Sequence, residues 1–231
     1  MKVRTDRALI ASRQRLGSWT ALGGLIILVG GLIVSFRWQT PVMIGATYIA
    51  LIVGMLLSSV GIYLSDKWVQ EPRADQSLET ALKGFDDKYS LYNYVLPADH
   101  VLVSPHGVMV FAVKRHGDTV RYVNGKWKHQ QNLLKRLQSL SRERLGDPIQ
   151  QLGRDVARME GLLGQEFPNA DIPVSGAVVF THPDVSLHID GVPADVLHVK
   201  KLKSYIRRAI KREERISDEL LGDLQEALDR H

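Results

Sequence analysis

The chain contains no cysteine among its 231 residues. Disulfide bonds, thiolate-bound metal ions and a cysteine nucleophile are therefore excluded. Hydrophobic residues make up 45% of the chain and the net charge is +5, but the charges are distributed unevenly, because two long segments lack them altogether. The sequence therefore divides into an apolar part and a charged part.

Residues 16–36 and 42–64 contain no acidic residue, lysine, arginine or histidine. As helices that rise about 1.5 Å per residue, both are long enough to cross the roughly 30 Å hydrocarbon core of a bilayer. Transporters and channels usually carry ionisable groups inside their spans. We therefore assign residues 16–64 to two transmembrane helices that anchor the chain to the lipid bilayer and do not conduct a solute.

Basic residues are concentrated before the first apolar segment. Residues 1–15, a basic tail, contain five lysines and arginines, whereas the connection 37–41 contains one. Because basic flanks remain in the cytoplasm, we expect a two-pass protein of the inner membrane with both termini and the C-terminal domain cytoplasmic. A cleaved signal peptide fits less well, because the apolar run is too long and no small-residue cleavage site follows it.

The second apolar segment has small residues at every fourth position, namely Ala46, Ala50, Gly54 and Ser58. A face of small side chains allows another helix to approach closely. We expect this face to pack on the glycines of the first segment. Self-association of two chains through the same face is the alternative.

The rest of the chain has the pattern of an α/β domain. Residues 65–75 are polar and contain a Glu-Pro pair, which indicates a linker. Helix and strand patterns alternate over residues 76–215, which predicts a mixed central sheet flanked by helices, including one helix over 129–145. Residues 216–231 are predicted to form a C-terminal helix with Ser217 as its N-cap.

Two short apolar runs flank a Ser-Pro-His-Gly turn in this domain. The first run follows Asp99, and the second ends at Lys114. Antiparallel pairing of two such strands brings the carboxylate and the amine near the same end of a sheet. The two residues are either an exposed ion pair of little energetic consequence or half of a site for metal-dependent phosphodiester hydrolysis.

Several motifs follow one another in a recognisable order. They are Asp99-His100-Val101-Leu102-Val103, Pro105-His106-Gly107-Val108, Gly125-Lys126-Trp127, Asp147-Pro148-Ile149-Gln150-Gln151 and Val178-Val179-Phe180. With this combination the chain resembles, over roughly residues 75–212, the nuclease-related domain (NERD) family. The resemblance implies a restriction-endonuclease-like fold.

The resemblance also implies a catalytic site. In that fold an aspartate and the glutamate of a Glu-x-Lys sequence hold Mg²⁺, and the lysine positions the attacking water. Asp99, Lys114 and Gln151 match family positions, but Ala112 occupies the position of the glutamate. A methyl group cannot bind a cation, so we expect a degenerate site that binds metal weakly through Asp99. Residues open as substitute ligands are Asp75, Glu79, Asp118, His100 and His116.

A basic segment near the C-terminus has apolar residues at helical spacing, which should pack on the sheet and leave a charged face. The face consists of Lys200, Lys201, Lys203, Arg207, Arg208 and Lys211. Three roles are open for it: a solvated surface, a contact with nucleic-acid phosphates, or a contact with anionic lipid headgroups.

The sequence as a whole predicts a membrane-anchored, nuclease-related cytoplasmic domain. We expect it to bind nucleic acid with a degenerate metal site, and any residual phosphodiester hydrolysis to depend on Mg²⁺. The alternative function is a membrane-tethered scaffold or protein-interaction domain with no nucleic-acid role.

Overall fold

The computed structural model describes residues 1–37, 40–130, 145–211 and 214–231. The chain divides into two compact units. One contains Arg7–Arg73, and the other contains Met1–Asp6 and the described residues after Arg73. Most of the helix predicted over residues 129–145 lies outside the described residues, although positions 129 and 130 belong to a strand.

Two long helices make up most of the first unit. Helix α1 spans Arg7–Arg37 and helix α2 spans Pro41–Trp68. Both are long and apolar enough to cross a membrane. The two apolar segments are therefore helical, as predicted, and the helices extend beyond them. Thr40 caps α2 by accepting a hydrogen bond from the Met43 amide at 3.4 Å.

Glycine allows α1 and α2 to approach each other closely. A Cβ on Gly24 would lie 2.6 Å from the Ser58 amide nitrogen and 2.9 Å from the Gly54 carbonyl oxygen. A Cβ on Gly31 would lie 3.1 Å from the Ala50 Cβ. Three of the four small residues predicted to form a packing face on the second segment thus face α1. Self-association of the chain stays a prediction.

The second unit is built on a six-stranded sheet. Its strands are β1 Lys2–Thr5, β2 Ser90–Asn93, β3 His100–Ser104, β4 Gly107–Lys114, β7 Val174–Phe180 and β9 Asp195–His198, in the order β1-β2-β3-β4-β7-β9. The pairs β2-β3 and β3-β4 are antiparallel, and the other three pairs are parallel. Strands β5 Thr119–Val123, β6 Lys126–Gln130 and β8 Ser186–His188 form a second sheet in the order β6-β5-β8.

Helices cover both faces of the six-stranded sheet, as the sequence predicts for a mixed α/β fold. They are α3 Ala74–Leu82, α4 Pro148–Glu166, α5 Val199–Ala209 and α6 Asp218–Asp229. On one face, Leu78 of α3 and Leu202 of α5 join Phe111 of β4 in a core cluster. On the other, Met159 of α4 and Leu224 of α6 join the opposite side of the same strand in a second cluster. We call these the α3/α5 face and the α4/α6 face.

The N-terminal residues belong to the sheet and not to a free tail. Strand β1 pairs in parallel with β2 at the sheet edge, from Lys2 opposite Ser90 to Thr5 opposite Asn93. The sequence predicts a basic tail over residues 1–15. The strand Lys2–Thr5 within it has alternating basic side chains and no apolar pattern of its own, so it is not detected. The exposed edge of β2 supplies the hydrogen-bond partners that the short strand needs.

The predicted hairpin around the Ser-Pro-His-Gly turn is confirmed. Ser104 pairs with Gly107 at the turn, and β3 and β4 run antiparallel from there. Gly107 has a φ of 107°, and a Cβ at this position would lie 2.3 Å from the Pro173 carbonyl oxygen. Only glycine meets both requirements, so this residue fixes the turn and the approach of the chain that precedes β7.

Candidate functional site

Asp99 and Lys114 belong to the same side of the six-stranded sheet. Val101 of β3 and Ala112 of β4 both lie in the core cluster of the α4/α6 face. Side chains alternate along a strand, so Lys114, two residues after Ala112, is directed to this same face. Asp99 directly precedes β3, and its charge acts on Asp155 of the helix Pro148–Glu166 on this face. Lys114 is buried, with 4% exposure, whereas Asp99 is exposed. Their catalytic roles stay predictions.

Asp99 and Ala112 occupy corresponding places relative to the last pair of the β3-β4 ladder. Val101 pairs with Val110, Asp99 lies two residues before Val101, and Ala112 lies two residues after Val110. Ala112 is only 1% exposed and pairs with Val178 on the adjacent strand β7. Position 112 is therefore a methyl group inside an apolar cluster.

Helix α4 is positioned by its N-terminus and by a glycine in the sheet. Asp147 caps the helix, accepting hydrogen bonds from the amides of Ile149 at 3.0 Å and Gln150 at 3.1 Å. A Cβ on Gly176 of β7 would lie 2.7 Å from Leu152 Cδ1, so the helix rests directly on the strand. Proline at the first helical position, directly after this cap, is typical of a helix start.

Asp155 of α4 is a buried carboxylate that sequence analysis did not single out. It is 5% exposed, forms a hydrogen bond with the Gln151 side chain, and accepts a charged hydrogen bond from Arg158 Nη2 at 2.8 Å. Arg158 Nη1 also donates to the Pro97 carbonyl at 3.0 Å, two residues before Asp99. The helix and the start of β3 are thus joined through a guanidinium group.

The electrostatics of Asp155 reflect both its burial and its neighbours. Burial is the main influence and raises the pKa of Asp155; the Arg158 guanidinium opposes this, and the Asp99 carboxylate raises the pKa further. Asp155 and Asp99 are therefore close enough for their charges to interact. The signal in the sequence is that Asp155 interrupts the helical stripe of Leu152 and Val156 on the buried side of the helix.

Histidines gather beside the carboxyl ends of β4 and β7. The rings of His116 and His129 meet edge to face at 5.3 Å, and His129 Nε2 lies 2.7 Å from the Gly117 carbonyl oxygen. A Cβ on Gly117 would lie 2.7 Å from His182 Nδ1, so this imidazole packs directly on the glycine. His198 caps α5. These contacts give the histidines structural roles in turns and caps.

Three of the residues considered as substitute ligands belong to the other face of the sheet. Asp75 and Glu79 are on α3, which packs on the α3/α5 face. His100 alternates with Val101 and forms a hydrogen bond of 2.9 Å between its Nδ1 and Asn93 Oδ1. None of the three is placed to replace the missing glutamate beside Asp99.

Among the residues that the structure describes, no group of three histidine, aspartate or glutamate side chains is placed to hold a metal ion. Ala112 offers only a methyl group, and Asp155 is engaged by Arg158. Mg²⁺ requires near-octahedral oxygen ligands, and these described donors do not fit that requirement.

The basic residues predicted as contacts lie on the opposite face from Asp99 and Lys114. The apolar stripe of α5 is buried in the core of the α3/α5 face. The charged groups of Lys203 and Arg207 approach the Phe85 ring, 5.9 and 6.0 Å from its centroid. Of the six basic residues, Lys203 is partly buried, and the exposed ones are Lys200, Lys201, Arg207, Arg208 and Lys211. The six-stranded sheet separates this surface from the Asp99 region.

A family model matches the central part of the chain. The model is that of the nuclease-related domain (NERD), and it matches residues 67–181. The match includes Asp99, Lys114, Gln151 and Asp155 but excludes helix α5. No curated protein and no solved structure matches the chain. The resemblance drawn from the motifs is therefore confirmed, over a range that ends earlier than residue 212.

Proposed function

We propose, on the premise that residues 67–181 form a nuclease-related domain, that this chain holds the domain at a membrane and binds nucleic acid without a resident metal ion. The observation that carries the proposal is the buried methyl group of Ala112, two residues before Lys114, at the position where the resemblance to the family implies a second carboxylate. Without that carboxylate the domain has one metal ligand fewer, while Asp99 and Lys114 remain.

Lys114 is the group we assign to phosphate. It is the last residue of β4 and is buried on the α4/α6 face, so its amine is held beside the carboxyl ends of the parallel strands. Ligands of α/β sheets characteristically bind at this edge. Asp155 is a second carboxylate on this face. Because it is bonded to Gln151 and Arg158, its negative charge is offset, and it repels a bound phosphate less than a free carboxylate would.

Residual hydrolysis is the second candidate, because Asp99 and Lys114 both remain from the family's catalytic set. In that case Asp99 is the metal ligand, Lys114 stabilises developing negative charge, and Gln151 acts indirectly through Asp155. The donor set described above does not fit Mg²⁺, so we give this candidate second place.

The membrane location of the domain is also part of the proposal. Two helices of sufficient length and hydropathy adjoin the domain in sequence. Strand β1 precedes them and helix α3 follows them, yet both elements belong to the same folded unit. If the helices span a bilayer, the two ends of the hairpin must lie on the same side, and the basic flank makes that side the cytoplasm of an inner membrane.

The outer face of α5 is assigned to anionic lipid headgroups. Its exposed lysines and arginines are on the opposite face of the sheet from Asp99 and Lys114. A nucleic acid bound at the Asp99 edge reaches α5 only by passing around the sheet, whereas a membrane-tethered domain is always beside a lipid surface.

The test uses the full chain in nanodiscs of neutral lipid with fluorescent single-stranded and duplex DNA and RNA 20-mers. We expect binding in EDTA that weakens steeply as salt increases, without cleavage when Mg²⁺ or Mn²⁺ is added. Metal-dependent cleavage that is lost in Lys114→Ala would overturn the metal-free proposal in favour of the enzyme. Absence of both binding and cleavage would favour the scaffold alternative.

A further inference from the structure

The outer face of the three-stranded sheet carries a line of basic side chains. Arg121 at the centre of β5 pairs with Lys128 on β6 and with His188 on β8. All three residues are exposed. Lys126, two residues before Lys128 on the same face of β6, is also exposed and pairs with Val123. We call Arg121, Lys126, Lys128 and His188 the basic row.

The inner face of this sheet explains why the row faces solvent. Val120 is fully buried in the core cluster of the α4/α6 face, and Trp127 and Leu187 pack against the same cluster. Val120, Trp127 and Leu187 are the neighbours in sequence of Arg121, Lys128 and His188. Because side chains alternate along a strand, burial of one set exposes the other.

No ion pair with an acidic residue is seen for the arginine and lysines of the basic row in the part of the chain that the structure describes. Strands β5, β6 and β8 contain no acidic residue. Within the described residues, no acidic side chain forms a salt bridge with Arg121, Lys126 or Lys128. Like charges directly opposite each other on adjacent strands destabilise a sheet, so the pairing of Arg121 with Lys128 is unfavourable without a bound anion.

The spacing of the row suits an extended polyanion. Adjacent strands lie about 4.8 Å apart, and residues two apart on a strand are separated by roughly 7 Å. The cations are therefore spread over two directions of a flat surface and do not converge on one point. A small anion would contact one or two of them, whereas a nucleic acid, with one charge for every 1.7 Å or so of duplex, meets several at once.

The three-stranded sheet also adjoins the candidate site. The rings of Trp127 and Phe180 lie 6.4 Å apart, and Phe180 is the register partner of Lys114. His129 of β6 contacts His116, two residues beyond Lys114. A strand of nucleic acid that lies on the row therefore passes beside the end of β4.

We propose that the basic row binds the phosphodiester backbone of nucleic acid, independently of sequence. The inference rests on the proposed function, for which it names the contact surface. It also assigns the backbone contact to β5, β6 and β8 in preference to the basic face of α5, which lies across the sheet.

The experiment compares two double charge reversals in the full chain, in nanodiscs of neutral lipid with EDTA. Arg121→Glu with Lys128→Glu alters the row, and Lys200→Glu with Lys201→Glu alters α5 by the same net charge. The probe is a fluorescent single-stranded DNA 20-mer titrated at several salt concentrations. We expect the row variant to weaken binding at least about tenfold and to reduce the slope of log K against log salt by about two. The α5 variant should stay within about twofold of the parent.

Folding is controlled by two further variants. Arg121→Lys with Lys128→Arg preserves both charges and should bind like the parent. Arg121→Glu alone creates an opposite-charge pair with Lys128, so its melting temperature should not fall although its binding weakens. A purely structural role for Arg121 predicts the reverse, namely a lower melting temperature with binding lost only through unfolding.

The remaining outcomes separate the row from the function on which it rests. Equal losses of DNA affinity in both double variants would mean that net charge alone governs binding, and would overturn the proposed role of the basic row. Loss only in the α5 variant would also overturn the row while leaving nucleic-acid binding intact. No binding by the parent chain to this 20-mer, a duplex or an RNA probe would overturn the proposed function and the row together.

Discussion

Helices α5 and α4, on opposite faces of the six-stranded sheet, use charged residues in different ways. Helix α5 buries apolar residues such as Leu202 and exposes most of its charged side chains. Helix α4 buries the charged residue Asp155, which is held by Arg158 and is close to Asp99. Helix α5 is therefore a packing surface with a charged exterior. Helix α4 keeps a charged group on its buried side, where burial must be offset by specific partners.

The position of the sheet distinguishes two groups of residues that the sequence alone does not separate. The basic residues of α5 and the pair Asp99 and Lys114 both suggest contact with phosphate when considered one at a time. The sheet lies between them, so they cannot be parts of one pocket. A functional assignment for one therefore says nothing about the other.

The largest effect is expected from the packing face. Leu202 is fully buried, and Leu202→Ala should lower the free energy of unfolding by about 3 kcal/mol, because it leaves a cavity in the core. Lys201→Ala, one residue away but exposed, should change it by less than about 0.5 kcal/mol. Denaturant unfolding of the full chain in detergent, followed by near-UV circular dichroism, measures both. Similar losses in the two variants would show that the outward charges of α5 also support the fold.

The next effect concerns the missing carboxylate on the other face. Ala112→Glu should destabilise the metal-free protein by about 2 kcal/mol, because it inserts a larger, charged side chain into a packed cluster. Mn²⁺ should then raise its melting temperature, since antiparallel pairing continued two residues beyond Val101 and Val110 would bring Asp99 and the new carboxylate together. Ala112→Gln is the matched control, with the same size and no charge, and should not respond to Mn²⁺.

Titration calorimetry gives a second readout for this variant. Ala112→Glu should bind Mn²⁺ more tightly than the parent chain. Equal affinity in the two proteins would mean that Asp99 and position 112 do not face a common space, and the argument from strand register would be wrong.

A smaller effect is expected at the guanidinium that secures Asp155. Arg158→Ala leaves a buried carboxylate without its cationic partner and frees the Pro97 carbonyl, which should cost about 1 to 2 kcal/mol at neutral pH. Arg154→Ala removes a neighbouring arginine that donates to Gln150 on the same helix and influences the pKa of Asp155 less than Arg158 does, so it should cost less than about 0.5 kcal/mol. Thermal unfolding at pH 7 compares them. Equal costs would mean that Asp155 does not depend on its partner.

The fold was largely accessible from the sequence, because apolar periodicity and turn residues determine it. The long apolar helices, the hairpin between β3 and β4 and the cap at Asp147 each have a local signal, and all are present. Strand β1 has no such signal. This strand is stabilised by pairing with the open edge of β2, where the partner of Lys2 is 88 residues away in sequence. A local sequence pattern does not reveal a partner at that distance.

The candidate site was accessible only in part, for a related reason. Family motifs point to residues on adjacent strands, and strand alternation alone predicts that Asp99 and Lys114 share a face. Asp155 lies on a helix that is 56 residues beyond Asp99 in sequence, and only the packing of α4 on Gly176 brings them together. An acid within an apolar helical stripe was the available signal. The basic row could be recognised only from the register of three strands, and no local sequence pattern specifies that register.

The smallest effect, and the sharpest contrast between the faces, is the pH dependence that Asp155 gives to the α4/α6 face. Burial raises the pKa of Asp155 above its ordinary value of 3.8, so the folded state binds this proton more tightly than the unfolded chain does. The charged carboxylate therefore destabilises the folded state above the raised pKa. This penalty decreases as the pH falls through that pKa and is absent below 3.8, where both states are protonated.

Asp155→Asn removes the titration and keeps the shape of the side chain. It should be more stable than the parent at pH 7, and the difference should shrink steadily as the pH is lowered toward 3.8. Asp223→Asn, at an exposed position of α6, is the matched control and should show no such gain. Melting temperatures of the full chain from pH 7 to pH 4 measure the trend. A loss of stability in Asp155→Asn at pH 7 would mean that the Arg158 ion pair outweighs the cost of burial, and that the charge on this face supports the fold as the outward charges of α5 do not.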